Sequence, residues 1–518
     1  MSLITWSWIF LVLYISGMVA IGFFAQRKIK HADDFATARG SYGPFFLALA
    51  FAASTASGAT FLGSPALSYE WGLAANWGNF LYPIGVYFGV LISMRLIATA
   101  GNRFGNRSIP EYLGDRYQSE GIRILVSLLS LVLFFYLAGQ LVSGVVMFQL
   151  MLGLEAEWAL MITTAVLLFY VVMGGAHADI LTDGLQGAMM LILAVVVIVI
   201  TFMGVGIEGG FSGMWENLAE QDEDLVTLLN PKTPLYHSWW SIFVIAFAHM
   251  PLGLLPHLGN KLWALKSTGD RMHFVKLAAV MGITLGMLGL GGLLARAHFG
   301  DSLYLDGATP NQSLPMLFIE LFPTWLAALI GVGVLSAIMS TADGLIVSSS
   351  QIVANDLYRR TFTTWTRHLS EEEMDQRVLK ISRIATVVIL LLCMGMAWSL
   401  MDTNIALIVW IGTGGMMAAF AGPLVIGALW SGVTRHGAYA GLLGGITTFV
   451  ILHARLIDPA WFEPGTLNDM AAWLYGEGPN PYSCAVMGEI VSISLTVLVS
   501  KLTRPLPESH ISALFPTS

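Results

Sequence analysis

Small and hydroxylated side chains occupy the centre of an apolar run in this sequence. Within residues 45–67, positions 52–60 read Ala-Ala-Ser-Thr-Ala-Ser-Gly-Ala-Thr, where a membrane helix would be expected to carry leucine. Ala53 and Ala56 are three residues apart, so both carbonyls would lose their intrahelical partners if the helix unwinds near Ser57. An unpaired carbonyl in lipid costs several kcal/mol. A dehydrated cation would satisfy these oxygens.

A second stretch, residues 335–344, offers oxygens that complement the first. Ala337, Ser340 and Thr341 stand at i, i+3 and i+4, so one carbonyl and two hydroxyls share a helix face. Carbonyl and hydroxyl oxygens suit a sodium ion, and none of them titrates near neutral pH. The alternative is close helix packing by small residues, with the hydroxyls bonded to the preceding turn. Spacing alone leaves both interpretations open.

Acidic side chains also fall inside apolar segments. Asp183 lies just inside the end of one segment, and Asp343 belongs to the second stretch. An intramembrane carboxylate costs about 3 kcal/mol or more, which makes it a functional-site hypothesis. The alternative is a helix-terminal aspartate that meets water, and Asp179 fits that description. We expect Asp183 to be functional.

Membrane helices must position these residues, because the composition is that of an integral membrane protein. Of 518 residues, 56% are hydrophobic and 11% are charged, and the mean hydropathy is +0.71. Soluble domains average about 25% charged residues. The sequence therefore predicts one all-α polytopic transmembrane domain over residues 1–518. No nucleophile–base pair, metal cluster or nucleic-acid motif stands out, so an enzyme is not expected, and the partners are the bilayer and a small-molecule solute, with no obligate protein partner.

About thirteen apolar segments are long enough to cross a bilayer, which takes about 20 residues each. The predicted spans are 4–24, 44–68, 78–98, 124–153, 157–174, 180–205, 238–257, 274–298, 324–354, 381–401, 404–430, 437–455 and 483–502. The basic loops begin at Gln26, Gly101, Asn260, Arg359 and Ser431. These loops share one side when the spans alternate, and basic loops are cytoplasmic. The N-terminus is therefore predicted outside and the C-terminus inside.

Two of these spans are interrupted by glycine and proline. The second contains Pro65, and the seventh contains Pro251 and Pro256. They open two consecutive five-helix sets of opposite topology, 44–205 and 238–430, with one helix (4–24) before and two (437–502) after. Paired interruptions of this kind indicate a transporter's central binding site. Alternatively, glycine and proline are simply common in membrane helices.

Five motifs along the chain resemble the sodium:solute symporters. They are Ser-Thr-Ala-Ser-Gly at 54–58 with Phe-Leu-Gly at 61–63; Gly-Gly at 174–175 with Leu-Thr-Asp-Gly-Leu-Gln-Gly at 181–187; Leu-Pro-His at 255–257 with a lysine at 261; Met-Ser-Thr at 339–341 with Ser-Ser-Ser at 348–350 and Asp-Leu-Tyr at 356–358; and Thr-Arg-His-Gly-Ala at 434–438 with a glycine at 441. The resemblance implies a LeuT-type inverted repeat of five plus five helices. It looks closest to the pantothenate and monocarboxylate branches.

The resemblance also implies roles for the residues already singled out. The coupling ion is Na⁺, held by the carbonyls of Ala53, Ala56 and Ala337 and the hydroxyls of Ser340 and Thr341. The aspartate matching Asp183 faces the sodium exit path in the family and, in some members, helps to hold a second sodium. Asp343 departs from the family's serines, and an added ion ligand, a proton acceptor and a partner for a basic group all stay open for it.

The solute is expected beside the two broken helices. The candidate contacts are Thr55, Ser57, Thr60, Phe61, Gln140, His249, Met250, Pro251, Trp410 and Thr413. Packing or interhelical hydrogen bonding is the alternative for each. Thr55 stands where the proline carrier has an aspartate, and Pro251 stands about where sugar carriers have a gating tyrosine, so both departures argue against those branches.

The predicted function is sodium-coupled import of a small organic solute, namely a monocarboxylate, a pantothenate-like acid or an amino acid. A proton-coupled symporter is the first alternative, because Asp183, Asp343, His249 and His257 can titrate. A membrane solute sensor is the second. The expected location is the cell membrane, as a multi-pass protein of the bacterial inner membrane.

Overall fold

The structure is a computed structural model that describes residues 1–27, 32–171, 175–305, 307–361 and 369–515. Helices make up 82% of it, and those residues contain no strand. Nine helices in the described ranges are long and apolar enough to cross a membrane, or ten if one bent pair counts as a single span. Two shorter apolar helices, Pro44–Thr55 and Ala156–Leu168, add to these. An all-helical membrane protein is thus confirmed, whereas the count of thirteen stays a prediction.

The principal helices follow the predicted spans closely. They are α1 (Leu3–Gln26), α2 (Pro44–Thr55), α3 (Ser64–Trp71), α4 (Asn76–Phe104), α5 (Leu133–Leu152), α6 (Ala156–Val171), α7 (Gly175–Met203), α8 (Trp239–Ala248), α9 (Pro256–Gly259), α10 (Arg271–Gly286), α11 (Leu290–Phe299), α12 (Thr324–Gln351), α13 (Glu371–Ser399), α14 (Ile405–Phe420), α15 (Arg435–His453) and α16 (Pro481–Leu502). Shorter helices connect them: Ala32–Thr37, Ile109–Arg116, Glu120–Ser130, Gly210–Gln221, Ser313–Leu321, Gly427–Leu429, Thr466–Glu477 and Glu508–Leu514. The end of the predicted span 157–174 and the first glycine of the motif at 174–175 lie outside the described residues.

The second predicted span is broken where the sequence indicated. Helix α2 ends at Thr55, and Ala56 leaves the helical conformation with φ −90° and ψ 85°. The chain resumes as a π-helical turn over Ala59–Gly63 and continues into α3. Gly58 lies at the break against α5, where an added Cβ would be 2.2 Å from the Ser143 hydroxyl. Only glycine permits this approach of backbone to neighbouring helix.

The seventh predicted span is also broken. Helix α8 ends at Ala248, and a 3₁₀ turn, Leu252–Leu254, leads to α9. The segments Trp239–Leu254 and Pro256–Ala264 are bent relative to each other by 55°. Proline at 251 lacks a backbone N–H, and proline at 256 opens α9 at a first-turn position where that donor is not needed. Both interruptions were therefore predicted correctly.

Helix α12 lies at the centre of the bundle and brings the two broken segments together. Almost every residue from Gly331 to Gln351 is buried. It packs against α1, α5 and α7, while α2 packs against α7 and α10. The small residues of α2 and α12 allow their backbones to approach closely, as in other membrane helix pairs.

Candidate functional site

The two hydroxyl-bearing stretches meet in the interior. The Ser340 hydroxyl donates to the carbonyl of Ala53 at 3.2 Å and to that of Ala337 at 3.0 Å. The Thr341 hydroxyl donates to the carbonyl of Ser54 at 3.3 Å. All five residues are buried. Side chains of α12 thus cap the end of α2.

The end of α2 leaves carbonyls without backbone partners, as every helix end does. The Ala52 carbonyl accepts from the Ala56 N–H at 3.0 Å and from the Thr55 hydroxyl at 2.8 Å. The carbonyl of Thr55 accepts from the Tyr82 hydroxyl at 2.8 Å. The two carbonyls between them, those of Ala53 and Ser54, face the α12 hydroxyls. Two buried carbonyls and two hydroxyls therefore meet between α2 and α12, and oxygens of this kind suit a sodium ion.

One contact of α12 involves a residue outside the predicted ligand set. The carbonyl of Ser54 faces Thr341, whereas Ala56 directly follows the last helical residue of α2. Spacing along a helix predicts which side chains share a face of α12, but it carries no information on the register in which α12 crosses α2. The ligand set itself stays a prediction.

A buried group of charges lies next to this oxygen cluster. The Lys261 ammonium forms ion pairs with Asp179, at 2.9 Å, and with Asp183. The Ser54 hydroxyl lies 2.6 Å from both the Asp183 carboxylate and the Lys261 nitrogen. One carboxylate oxygen each of Asp179, Asp183 and Asp343 lies within 4.8 Å of the other two. We call Lys261, Asp179, Asp183 and Asp343 the lysine–aspartate cluster.

Two members of this cluster correct the sequence analysis. The pattern of basic loops predicts a cytoplasmic position for Lys261, but only 4% of it is exposed. The position of Asp179 near a helix end predicts contact with water, but it is 7% exposed and pairs with Lys261. Their partners are about 80 residues apart in the chain, so local patterns carry no signal for the pairing. The functional expectation for Asp183 itself is not tested by these contacts.

A cavity of about 40 Å³ opens between the two broken helices and α14. Six of the ten solute candidates line it, namely Thr55, Ser57, Thr60, His249, Trp410 and Thr413. Three tyrosines missed by the sequence analysis, Tyr82, Tyr136 and Tyr236, also line it. Among the described residues, its lining contains no Asp, Glu, Lys or Arg.

Aromatic rings form one wall around His249. The His249 ring packs against Tyr82 and Tyr482, with centroids 5.2 Å apart in each pair, and Tyr482 packs against Trp410 at 4.4 Å. The Nδ1 atom of His249 lies 2.6 Å from the carbonyl of Ile245. Because a carbonyl only accepts, Nδ1 carries the proton, and Nε2 of the neutral ring is left as an acceptor. Tyr482 belongs to α16, outside both predicted repeats, which is why the sequence gave no reason to include it.

The other four candidates do not line the cavity. Gln140 accepts a hydrogen bond from the Gly58 N–H at 2.9 Å and so braces the broken helix. Phe61 is fully buried in the π-helical turn. Met250 and Pro251 lie in the turn after α8. Their predicted contact with solute stays a prediction.

A second cavity, of about 20 Å³, lies beside the lysine–aspartate cluster. Asp179, Lys261 and His257 contribute to its lining. The His257 ring packs edge-on against Tyr136, with centroids 5.5 Å apart at 88°. Since Tyr136 lines the first cavity, this aromatic pair separates the two.

Comparison with known proteins identifies a family. Residues 35–445 match the model of the sodium:solute symporter family. The sodium/proline symporter of Salmonella typhimurium is 29% identical over 461 residues, which cover 85% of this chain and 86% of that protein. The sodium/proline symporter of Staphylococcus aureus is 26% identical over 512 residues, which cover 96% of this chain and 93% of that protein.

Solved structures show the same fold. A Na⁺-coupled sialic acid symporter in a substrate-bound outward-open state matches with a TM-score of 0.72 at 18% identity, over 97% of this chain and 99% of that one. A nucleobase-cation-symport-1 family transporter in a closed conformation matches with a TM-score of 0.53 at 14% identity, over 94% of this chain and 99% of that one. At these identities the likeness concerns the fold alone.

Proposed function

This chain belongs to the sodium:solute symporter family, and on that premise we propose that it imports a small amino acid together with sodium. It is a multi-pass membrane transporter rather than an enzyme, and Na⁺ is its coupling ion. The observation that carries the proposal is the convergence of the Ser340 and Thr341 hydroxyls on the open end of α2.

We place the sodium ion between α2 and α12, with ligands from Ala53, Ala56, Ala337, Ser340 and Thr341. The hydroxyls bridge the two helices by donating to carbonyls, and rotation of each hydroxyl hydrogen away from its carbonyl would turn an oxygen lone pair toward an ion held between the helices. Sodium would therefore bind most tightly in the conformation that holds α2 and α12 in register. A ligand shifts a conformational equilibrium only by its difference in affinity for the two states. Solute binding beside the ion would be coupled to it in the same way, and reciprocally.

The cavity lining favours an amino acid over a simple carboxylic acid. Because no described residue of its lining is Asp, Glu, Lys or Arg, the cavity offers no such partner for a net charge, whereas a zwitterion is neutral overall. The hydroxyls of Ser57, Thr60 and Tyr136 line the cavity and are groups that can donate to a carboxylate. The acceptor Nε2 of His249 suits an ammonium or imino group. The relatives described above carry proline, which also places an amino acid before a monocarboxylate or pantothenate.

The finer topology is part of the same proposal. We infer thirteen crossings arranged as two inverted five-helix repeats, with the N-terminus outside and the C-terminus inside a bacterial inner membrane. The two broken helices, which open the two proposed repeats, support this arrangement. Tagging each terminus and labelling it from either side of intact cells tests the orientation.

Transport of labelled solutes tests the substrate class. Purified protein in proteoliposomes with an inward sodium gradient should accumulate proline or another small amino acid. Because Thr55 departs from the proline carriers, the panel needs alanine, serine and glycine beside proline. Lactate, pyruvate and pantothenate serve as monocarboxylate competitors. Accumulation of a monocarboxylate without any amino acid would overturn the assignment.

A further inference from the structure

The lysine–aspartate cluster holds a cation that is part of the protein. The Lys261 ammonium has three hydrogens to donate, and three oxygens receive them, from Ser54, Asp179 and Asp183. Lys261 is 4% exposed, and none of the three aspartates is more than 7% exposed. A charge buried this deeply persists only when it is paired and hydrogen-bonded. The ammonium is thus coordinated by oxygen as a small metal ion would be.

The cluster has more oxygen ligands than the ammonium uses. Among the described residues, Asp183 Oδ1 and Asp343 Oδ2 are buried and face no hydrogen-bond donor. Three carboxylates also outnumber the single ammonium. Carboxyl groups buried this close together need a positive charge to balance them. A hard metal cation bound by the same oxygen atoms would supply that charge as well as the ammonium does.

The cluster is joined to the proposed sodium site through one residue. The carbonyl of Ser54 faces Thr341, while its hydroxyl contacts both Asp183 and Lys261. Gly344, on α12, lies next to the cluster: a Cβ there would be in ordinary contact with Asp179 Oδ1 at 3.4 Å and with the Lys261 nitrogen at 3.9 Å. Two cation positions therefore lie side by side, and a lysine reaches into one of them.

We propose that the Lys261 ammonium is a tethered cation that fills the second cation position, so that this chain binds a single sodium ion. Truncating Lys261 would then turn the cluster into a second sodium site made of the Asp179, Asp183 and Asp343 carboxylates and the Ser54 hydroxyl. The inference rests on the proposed sodium-coupled function and adds its ion stoichiometry. It explains why Asp343 is tolerated where serines are expected: an additional carboxylate is compensated by a fixed positive charge.

Equilibrium binding of radioactive sodium to purified protein, without solute, tests this directly. Wild type should bind one sodium ion per chain, and Lys261→Ala should bind two, with the Hill coefficient of sodium-dependent thermal stabilisation rising from about one toward two. Lys261→Arg keeps the positive charge and should bind one. Lys266→Ala removes an exposed lysine five residues away and should also bind one.

Each result separates this inference from the function on which it rests. Two sodium ions on wild type, or one on both wild type and Lys261→Ala, overturn the tethered cation and leave sodium coupling intact. No sodium on wild type overturns the proposed function. If Lys261→Ala alone does not fold, the double variant Lys261→Ala/Asp179→Asn keeps the cluster's net charge while opening the position, and it should bind two ions. One ion on that variant contradicts the inference.

Discussion

Replacing Ser340 by alanine should weaken sodium binding without a comparable loss of stability in the absence of sodium. Ser340 supplies one hydroxyl oxygen to the proposed site, and its present bonds to the carbonyls of Ala53 and Ala337 are 3.2 and 3.0 Å long. A hydrogen-bonding contact to a charged group contributes about 1.5–3 kcal/mol, against about 0.5–1.5 kcal/mol for a neutral one. At 1.4 kcal/mol per tenfold change, the sodium dissociation constant should rise by roughly 10- to 150-fold.

Thermal unfolding measured against sodium concentration gives this number. At 100 times its dissociation constant, an ion stabilises the native state by about 2.7 kcal/mol. With a 10- to 150-fold weaker site and the same sodium concentration, the stabilisation should fall to roughly 0.3–1.4 kcal/mol. Choline or potassium chloride keeps the ionic strength constant.

Ser336→Ala is the matched control. Ser336 is a buried serine on the same helix, and its hydroxyl donates within that helix, to the Gly333 carbonyl at 2.6 Å. Its replacement should lower stability slightly and equally in sodium and potassium. A normal sodium titration for Ser340→Ala, or the same change in both variants, would refute the assignment of the site to the contact between α2 and α12.

Three further substitutions examine other parts of the account. Gly58→Ala places a methyl group 2.2 Å from a serine of α5 and should destabilise the protein by about 1–3 kcal/mol. Gly395→Ala is the control, because no atom of the described residues lies within 4 Å of the added methyl group, and it should not destabilise the protein. Thermal unfolding that ranks the two variants otherwise contradicts the close approach at Gly58. Trp410→Ala removes part of the aromatic wall and should raise the half-saturating solute concentration for uptake about tenfold or more, which corresponds to roughly 1.4 kcal/mol. The stabilisation of the protein by sodium should not change. Trp461→Ala, which replaces a 71% exposed tryptophan, is the control for uptake. Lys232→Met breaks two exposed ion pairs, of 2.6 and 2.9 Å, and should lower stability only slightly, because water and salt screen exposed charges. The hydrogen bond from Lys232 lowers the pKa of Asp222. The small stabilisation should therefore be present at neutral pH and disappear as the pH falls through that lowered pKa. Unfolding of wild type and Lys232→Met at pH 7 and at acidic pH measures this difference.

Local patterns were sufficient to locate the oxygen-rich helix faces. The spacing of Ala337, Ser340 and Thr341 is a property of a single helix, and the break near Ser57 follows from small residues, a glycine and a nearby proline. Those features depend on neighbours within four residues, so sequence carries them. The contact of Thr341 with the Ser54 carbonyl depends on how far two helices slide past each other, and the spacing within one helix carries no information on that register.

The charges beside the site show where sequence reasoning stops. Lys261 follows a predicted span in a basic segment, which is the usual pattern of a cytoplasmic loop. Its burial depends on the bend after α8, which carries the segment inward to α7. Tyr482 was missed for a related reason, because its ring contacts with His249 and Trp410 join α16 to segments far away in the chain. Contacts of this kind arise from tertiary packing and have no signature in periodicity or motif.

The most direct test of sodium-coupled import is the identity of the gradient that drives it. Proteoliposomes containing the purified protein are given inward sodium and proton gradients together, and accumulation of the labelled amino acid is followed after a sodium ionophore or a protonophore is added. We predict that accumulation collapses with the sodium ionophore and persists with the protonophore when the membrane potential is clamped. Collapse with the protonophore alone, and full accumulation after sodium has equilibrated, would contradict the account.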